Sequence, residues 1–394
     1  MMIRAVLGNP NHPEYGVATI PFPIPRDQYA HCVELLEALE IGDAVKADCK
    51  VVAVDSFFSV LKRTEMLTVN VEELNYLAKR LDSFDTGEAA QFQAMAHKLE
   101  LFELKDLINL TFCCQQATVI TDFSDLAAIG RDHYMNLHGG SASVDELNKL
   151  DGKETARQLI ESGGGTITPY GVVYDNGMKL EQVYDGRFFP CYYFKPNVIT
   201  VAVTSKAEPE DTEHITWLFL PMVQEEIDRA LLRGGITDPA DVRLRLEDSQ
   251  LPNEVDVLLD MEYENLSDLN ELAAATDGLS KADMEKLGAV VMLAKPKSAA
   301  QIKNLAKNLD LFDFAPDAHS PADYGKYMIR QSGRFEYDEN LDAFYDYEKY
   351  GAERMNEEDG MFTDRGYIAY KGYYSMEEVM NGSQSSHMEM GGMM

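Results

Sequence analysis

At 394 residues, with 45% hydrophobic and 26% charged side chains, the chain is long enough for two or three domains with real cores, and wholesale disorder is excluded. Its net charge of −32 argues against direct binding to nucleic acid or to an anionic membrane, because both require Lys and Arg to neutralise phosphate. No apolar run approaches the roughly 20 residues of a bilayer span, and the N-terminus lacks the pattern of a secretory signal, so the expected compartment is the cytoplasm.

In chain order, residues 3–7 and 17–24 read as short strands separated by the turn-rich stretch Gly8 to Pro13. A helix is expected from about Asp27, with Leu35, Leu36 and Leu39 at 3–4 spacing and Gly42 to stop it. Lys50 to Phe58, rich in Val and Phe, reads as a strand. From Asn70 to about Met135 the pattern is helical, with one apolar stripe at Leu74, Leu77, Leu81 and Phe84 and another beginning at Phe92, Met95 and Leu99. The adjacent Cys113 and Cys114 follow an apolar run and are expected to be buried and reduced. A polar helix is expected over 143–161, and Asn176-Gly177 between apolar stretches predicts a hairpin turn.

The pattern then returns. Leu74-Asn75-Tyr76-Leu77-Ala78 reappears 195 residues later as Leu269-Asn270-Glu271-Leu272-Ala273, and the same shift pairs Asn109 with Asn304, Gly130 with Gly325, Thr168 with Thr363 and Gly171 with Gly366. A constant lag over more than a hundred positions implies a tandem duplication. The expected organisation is module one over 1–177, a junction over 178–195, module two over 196–372 and a loose, Gly-, Ser- and Met-rich tail over 373–394. Each module has the order short strands, helix, strand, helices, helix, strand, which makes the fold class α+β rather than a repeating βαβ.

Charge divides unevenly: −12 for 1–177, +1 for 178–195, −18 for 196–372 and −3 for the tail. Two acidic runs stand out. The first contains Glu254, Asp256, Asp260, Glu262, Glu264 and Asp268, and the second contains Asp338, Glu339, Asp342, Asp346, Glu357, Glu358 and Asp359, interleaved with Phe344, Tyr345, Tyr347 and Tyr350. If 256–264 is helical, Asp256, Asp260 and Glu264 place three like charges along one face; if it is extended, the alternation gives the same solvated anionic ridge.

Little else points to chemistry. There is no CxxC, no HExxH and no pair of histidines at i, i+4, so no metal and no cofactor is expected; His387 and the methionines around it read as a chain end rather than a soft-metal tract. Gly163-Gly164-Gly165 lacks the Lys and Ser/Thr of a phosphate loop. Carboxylate pairs alone do not make a general acid, which requires a desolvated cleft, so no catalytic residue is assigned. A different use follows from the charge of DNA, about one negative charge per 1.7 Å of axis. A rigid scaffold with a face of carboxylates imitates that charge for a protein that grips DNA with Lys and Arg.

The Leu-Asn-x-Leu-Ala segment behind an acidic run, the upstream Phe22-Pro23 and Leu220-Pro221 strands, and the closing Gly366-Tyr367-Ile368 together resemble ArdA-type antirestriction proteins. Module two matches better; module one is less acidic and has Val172-Val173 where module two has Tyr367-Ile368. The resemblance implies an elongated, acidic α+β scaffold that mimics B-DNA, is made by mobile elements and occupies the DNA-binding cleft of type I restriction-modification enzymes. It implies a protein partner, with neither direct nucleic-acid nor membrane binding and no enzymatic activity. The thirteen carboxylates named above are the expected contact residues. Family members pair as single modules, so two modules in one chain imply a covalent pseudo-dimer, with further dimerisation open. The rival readings are an acidic scaffold of a mobile element that binds another basic protein, and an acid/base hydrolase using paired carboxylates.

Overall fold

The computed structural model describes residues 3–194, 196–207, 212–334 and 336–382. The first set of elements is β1 (Ile3–Gly8), β2 (Val17–Phe22), α1 (Tyr29–Glu37), β3 (Cys49–Asp55), β4 (Thr68–Val69), α2 (Val71–Asp82), α3 (Thr86–Lys98), α4 (Leu104–Leu110), β5 (Thr118–Ile120), α5 (Leu126–Leu137), α6 (Val144–Lys149), α7 (Gly152–Glu161), β6 (Thr166–Thr168) and β7 (Gly171–Tyr174). The second is β8 (Ile199–Ser205), β9 (Thr216–Leu220), α8 (Gln224–Arg233), β10 (Val242–Ser249), α9 (Asn253–Leu258), α10 (Leu266–Thr276), α11 (Lys281–Ala294), α12 (Ala299–Ala306), β11 (Phe312–Pro316), α13 (Pro321–Arg330), α14 (Tyr347–Glu357), β12 (Asp359–Thr363), β13 (Gly366–Tyr370) and α15 (Met376–Met380). The strands form four small antiparallel sheets, ordered β2-β1-β3-β4, β5-β7-β6, β10-β8-β9 and β11-β13-β12, so the chain is α+β.

The sets correspond down to single hydrogen bonds. Shifted by 195, α2 begins where α10 begins, α3 where α11 does, and β7 where β13 does. Asn70 caps α2 and Asn265 caps α10, because a side-chain oxygen at the N-cap satisfies the free amides of the first turn. Asn75 Oδ1 accepts from Ile24 N (2.9 Å), and Asn270 Oδ1 accepts from Met222 N (2.8 Å). In the last hairpins Thr168 and Thr363 donate to the carbonyls of Gly171 and Gly366, whose φ angles of 127° and 132° exclude an ordinary side chain.

Contact density divides the chain into two compact units, Met1–Phe194 with Val223–Thr237, and Lys195–Met222 with Asp238–Met394. In the first, Leu74, Leu77 and Leu81 of α2 pack with Phe92, Met95, Leu107 and the inward side chains Ile3, Ala5, Leu7, Ile20 and Phe22 of the sheet. The segment 178–194 is held to this core: Tyr184 is fully buried, its backbone N–H and C=O are both bonded by Asn109, and Phe189 stacks on Tyr76 at 4.5 Å. Helix α8, the counterpart of α1, also belongs to this unit. Its Arg229 donates to Glu72 (2.5 Å) and to the Gly42 carbonyl (2.7 Å), while Arg233 is buried and donates to the carbonyls of Arg187, Ala44 and Gly186, to Asn70 Oδ1 and to the Tyr184 hydroxyl. Burial, which outweighs the opposing charge of Arg233, holds the Tyr184 hydroxyl well above its ordinary pKa, and desolvation likewise raises Glu73, which accepts from that hydroxyl at 2.8 Å.

In the second unit the buried leucines Leu269, Leu272, Leu287 and Leu305 continue the same periodicities. Helices α13 and α14 approach so closely at Gly325 and Gly351 that a Cβ on either would lie 2.0 or 1.9 Å from a backbone oxygen of the other helix. Residues 373–382, expected to be loose, contain α15, whose Val379 is buried; Asn304 Nδ2 donates to the Met380 carbonyl (2.8 Å) as Asn109 does to Tyr184. His387 and the methionines beside it lie outside the described residues.

Three local expectations change. The strand at Lys50–Phe58 ends at Asp55, because Ser56 Oγ accepts from Phe58 N and turns the chain. The helix over 143–161 is two helices: α6 stops at Lys149 and Asp151 caps α7 through Glu154 N. Asn176-Gly177 is a turn fixed by Asp175 but makes no hairpin; the hairpin is the preceding β6–β7 pair, closed by Pro169-Tyr170. None of the five cysteines is in a disulfide, and Cys113 and Cys114 are buried.

Candidate partner-binding surface

The first acidic run is neither one helix nor one strand. Helix α9 stops at Leu258, residues 261–263 turn, and α10 starts at Leu266, so Asp256, Asp260 and Glu264 lie on three different local conformations and form no single i, i+4 row. Each carboxylate has its own task. Glu254 Oε1 and Oε2 accept from Arg365 Nε and Nη2, both at 2.8 Å, and this forked pairing holds the Glu254 pKa below the ordinary carboxylate range. Asp256 is half-buried with one oxygen unpartnered, and desolvation raises its pKa. Glu264 accepts from Ala299 N (2.9 Å) at the start of α12, although burial still pushes its pKa up. Asp268 sits beside the capping Asn265, and Asp260 accepts from Glu262 N within the turn. Glu262 is exposed.

The second run divides likewise. Asp338 caps the 3-10 turn Glu339–Phe344, and Asp346 caps α14, because a carboxylate at a helix N-terminus meets both free amides and the positive end of the dipole. Asp342 Oδ1 is a hub: Arg330 Nε (3.0 Å), Arg330 Nη2, the Tyr337 hydroxyl (2.8 Å) and the Tyr347 hydroxyl all donate to it. Led by the Tyr347 bond, these donors lower its pKa to about 2. Arg354 pairs with Glu357 (3.1 Å) and Glu358 (2.5 Å), and Glu358 also accepts from the Tyr324 hydroxyl (2.7 Å). Glu339 and Asp359 are exposed.

The basic residues that neutralise the runs, Arg330, Arg354 and Arg365, were not singled out by sequence reading. Arg354 lies inside the second run, but Arg330 and Arg365 lie outside both, so position along the chain does not mark them. What remains outward is a smaller set of exposed carboxylates: Asp260, Glu262, Asp338, Glu339, Asp346, Glu357 and Asp359.

Among the described residues no group of three or more His, Cys, Asp or Glu is arranged to hold a metal ion, and no helix is long and apolar enough to cross a membrane. A groove of about 210 Å³ between β5 and α5 is lined by Asp122, Asp125 and Asp132, with Asp132 raised first by burial and then by Asp125. That volume is below the roughly 300–1,000 Å³ of a small-molecule site.

Residues 212–369 match the family model described as "Antirestriction protein (ArdA)", a stretch that covers less than half of the chain and contains both acidic runs. No curated protein matches the chain.

Proposed function

We propose that the chain is a non-enzymatic DNA mimic that acts in the cytoplasm by occupying the DNA-binding cleft of a type I restriction-modification enzyme. The observation that carries this reading is that the stretch similar to antirestriction proteins is also the strongly anionic one: residues 212–369 contain 33 acidic against 16 basic side chains. A cleft built to hold phosphates with Lys and Arg is attracted by such a surface through the same long-range field.

The recurrence of elements at a lag of 195 supports a tandem duplication within 1–177 and 196–372 and, with it, a covalent pseudo-dimer from a mobile element. The contact face is formed by the exposed members of the two runs, with Glu254, Asp256, Glu264, Asp268, Asp342 and Glu358 holding the scaffold beneath them. Titration of a type I enzyme with the purified protein tests the reading. DNA binding and cleavage fall competitively, and inhibition weakens as salt rises. A folded protein that leaves DNA binding untouched at low salt would sink it.

A further inference from the structure

Each acidic run displays one aromatic ring almost wholly to solvent. Tyr263, flanked by Glu262 and Glu264, is 81% exposed, and Phe344, at the end of the 3-10 turn capped by Asp338, is 84% exposed. At this exposure the two rings contribute little to the core and leave their faces open to a partner. The matching patch of a second copy, equally anionic, is repelled at these two rings. The surrounding carboxylates instead attract a cationic surface, and an aromatic face selects the planar guanidinium over the compact ammonium. Unit two already seats one arginine this way: Arg330 bonds Asp342 while its guanidinium lies 5.3 and 5.6 Å from the Tyr337 and Tyr347 ring centroids.

Resting on the function proposed above, we infer that Tyr263 and Phe344 are stacking anchors for arginine side chains of the cationic protein partner. They supply a short-range contact attraction, less sensitive to salt than the long-range attraction of the carboxylates beside them. The full-length protein and its Tyr263→Ala/Phe344→Ala variant are titrated with an arginine homopeptide and a lysine homopeptide of equal length, and with a type I enzyme. The unmodified protein prefers the arginine peptide; the variant binds it about fivefold more weakly, binds the lysine peptide unchanged, and inhibits the enzyme less by a similar factor at low and high salt. Tyr263→Phe/Phe344→Tyr retains the preference. Equal binding of the two peptides, or a preference that survives in the alanine variant, overturns the inference. Peptide selectivity intact but no inhibition of the enzyme overturns the proposed function and leaves the anchors standing.

Discussion

Arg365 and Glu254 form a two-point ion pair in the places that Tyr170 and Ser59 occupy 195 residues earlier, where the contact is a single hydroxyl–hydroxyl hydrogen bond of 3.0 Å. The geometry of the contact is retained while its chemistry changes from neutral to ionic. Arg365 fits because residue 288 is glycine: a Cβ there would lie 2.5 Å from the guanidinium Nε. A second carboxylate, Glu285, bonds the same guanidinium. Part of the acidity of this half is therefore spent on its own architecture.

Replacing Arg365 with Met leaves Glu254 and Glu285 facing each other without a cation. The expected loss is about 1.5–3 kcal/mol in denaturant unfolding of the full chain, the range for hydrogen bonds to charged groups. The pair also gives a pH signature. Glu254 is depressed in the folded state from an ordinary 4.5, so its contribution is present above 4.5 and is lost as pH falls through the lower folded value. Glu254→Gln flattens that acid limb; an unchanged limb would refute the assignment.

Asp342 is expected to titrate near 2, below the ordinary 3.8 of an aspartate, because three side chains donate to one of its oxygens. A side-chain carboxyl NMR titration reads this directly. Asp342→Asn releases Arg330 and speeds hydrogen exchange over 338–347; a midpoint near 4 would show that the hub does not form in solution.

Arg233 is 4% exposed and donates to three backbone carbonyls, those of Arg187, Ala44 and Gly186. Arg233→Met strands the Ala44, Arg187 and Gly186 carbonyls and the raised Glu73–Tyr184 pair, at an expected cost of about 3–5 kcal/mol, as for other broken buried charge networks. Hydrogen exchange should report the loss in α2 and in 184–190. A stability within 1 kcal/mol of the unmodified protein, a roughly neutral surface effect, would contradict the buried role.

Gly325→Ala puts a methyl 2.0 Å from the Tyr347 carbonyl oxygen and must push α13 from α14. The expected destabilisation is at least the ~1–3 kcal/mol of an overpacked core. Gly130→Ala, whose Cβ would meet the Gly152 carbonyl oxygen at 1.9 Å, is the parallel test in the first half, and the two should behave alike.

The exposed and the engaged carboxylates should separate experimentally. Glu262→Gln, Glu339→Gln and Asp359→Asn together leave stability unchanged within about 0.5 kcal/mol but reduce inhibition and its salt dependence. Glu254→Gln and Asp342→Asn do the reverse, lowering stability more than inhibition. Equal effects from both groups would remove the distinction between contact face and scaffold.

Much of this was carried by the sequence alone. The leucine spacing of α2 and α10 and the paired glycines are set by short-range geometry, so a lag of 195 residues showed them without coordinates. The excess of anions was equally visible, being a count. Local pattern is silent, however, on partners distant in the chain. That Glu254 meets Arg365, that Glu264 caps a helix 35 residues away, and that α8 belongs to the first unit through Arg229 and Arg233 are outcomes of folding. A carboxylate in a run looks the same whether it faces water or an arginine. Only the tertiary structure distinguishes the two, because burial and charge pairing are properties of what lies across the space and not of the neighbours along the chain.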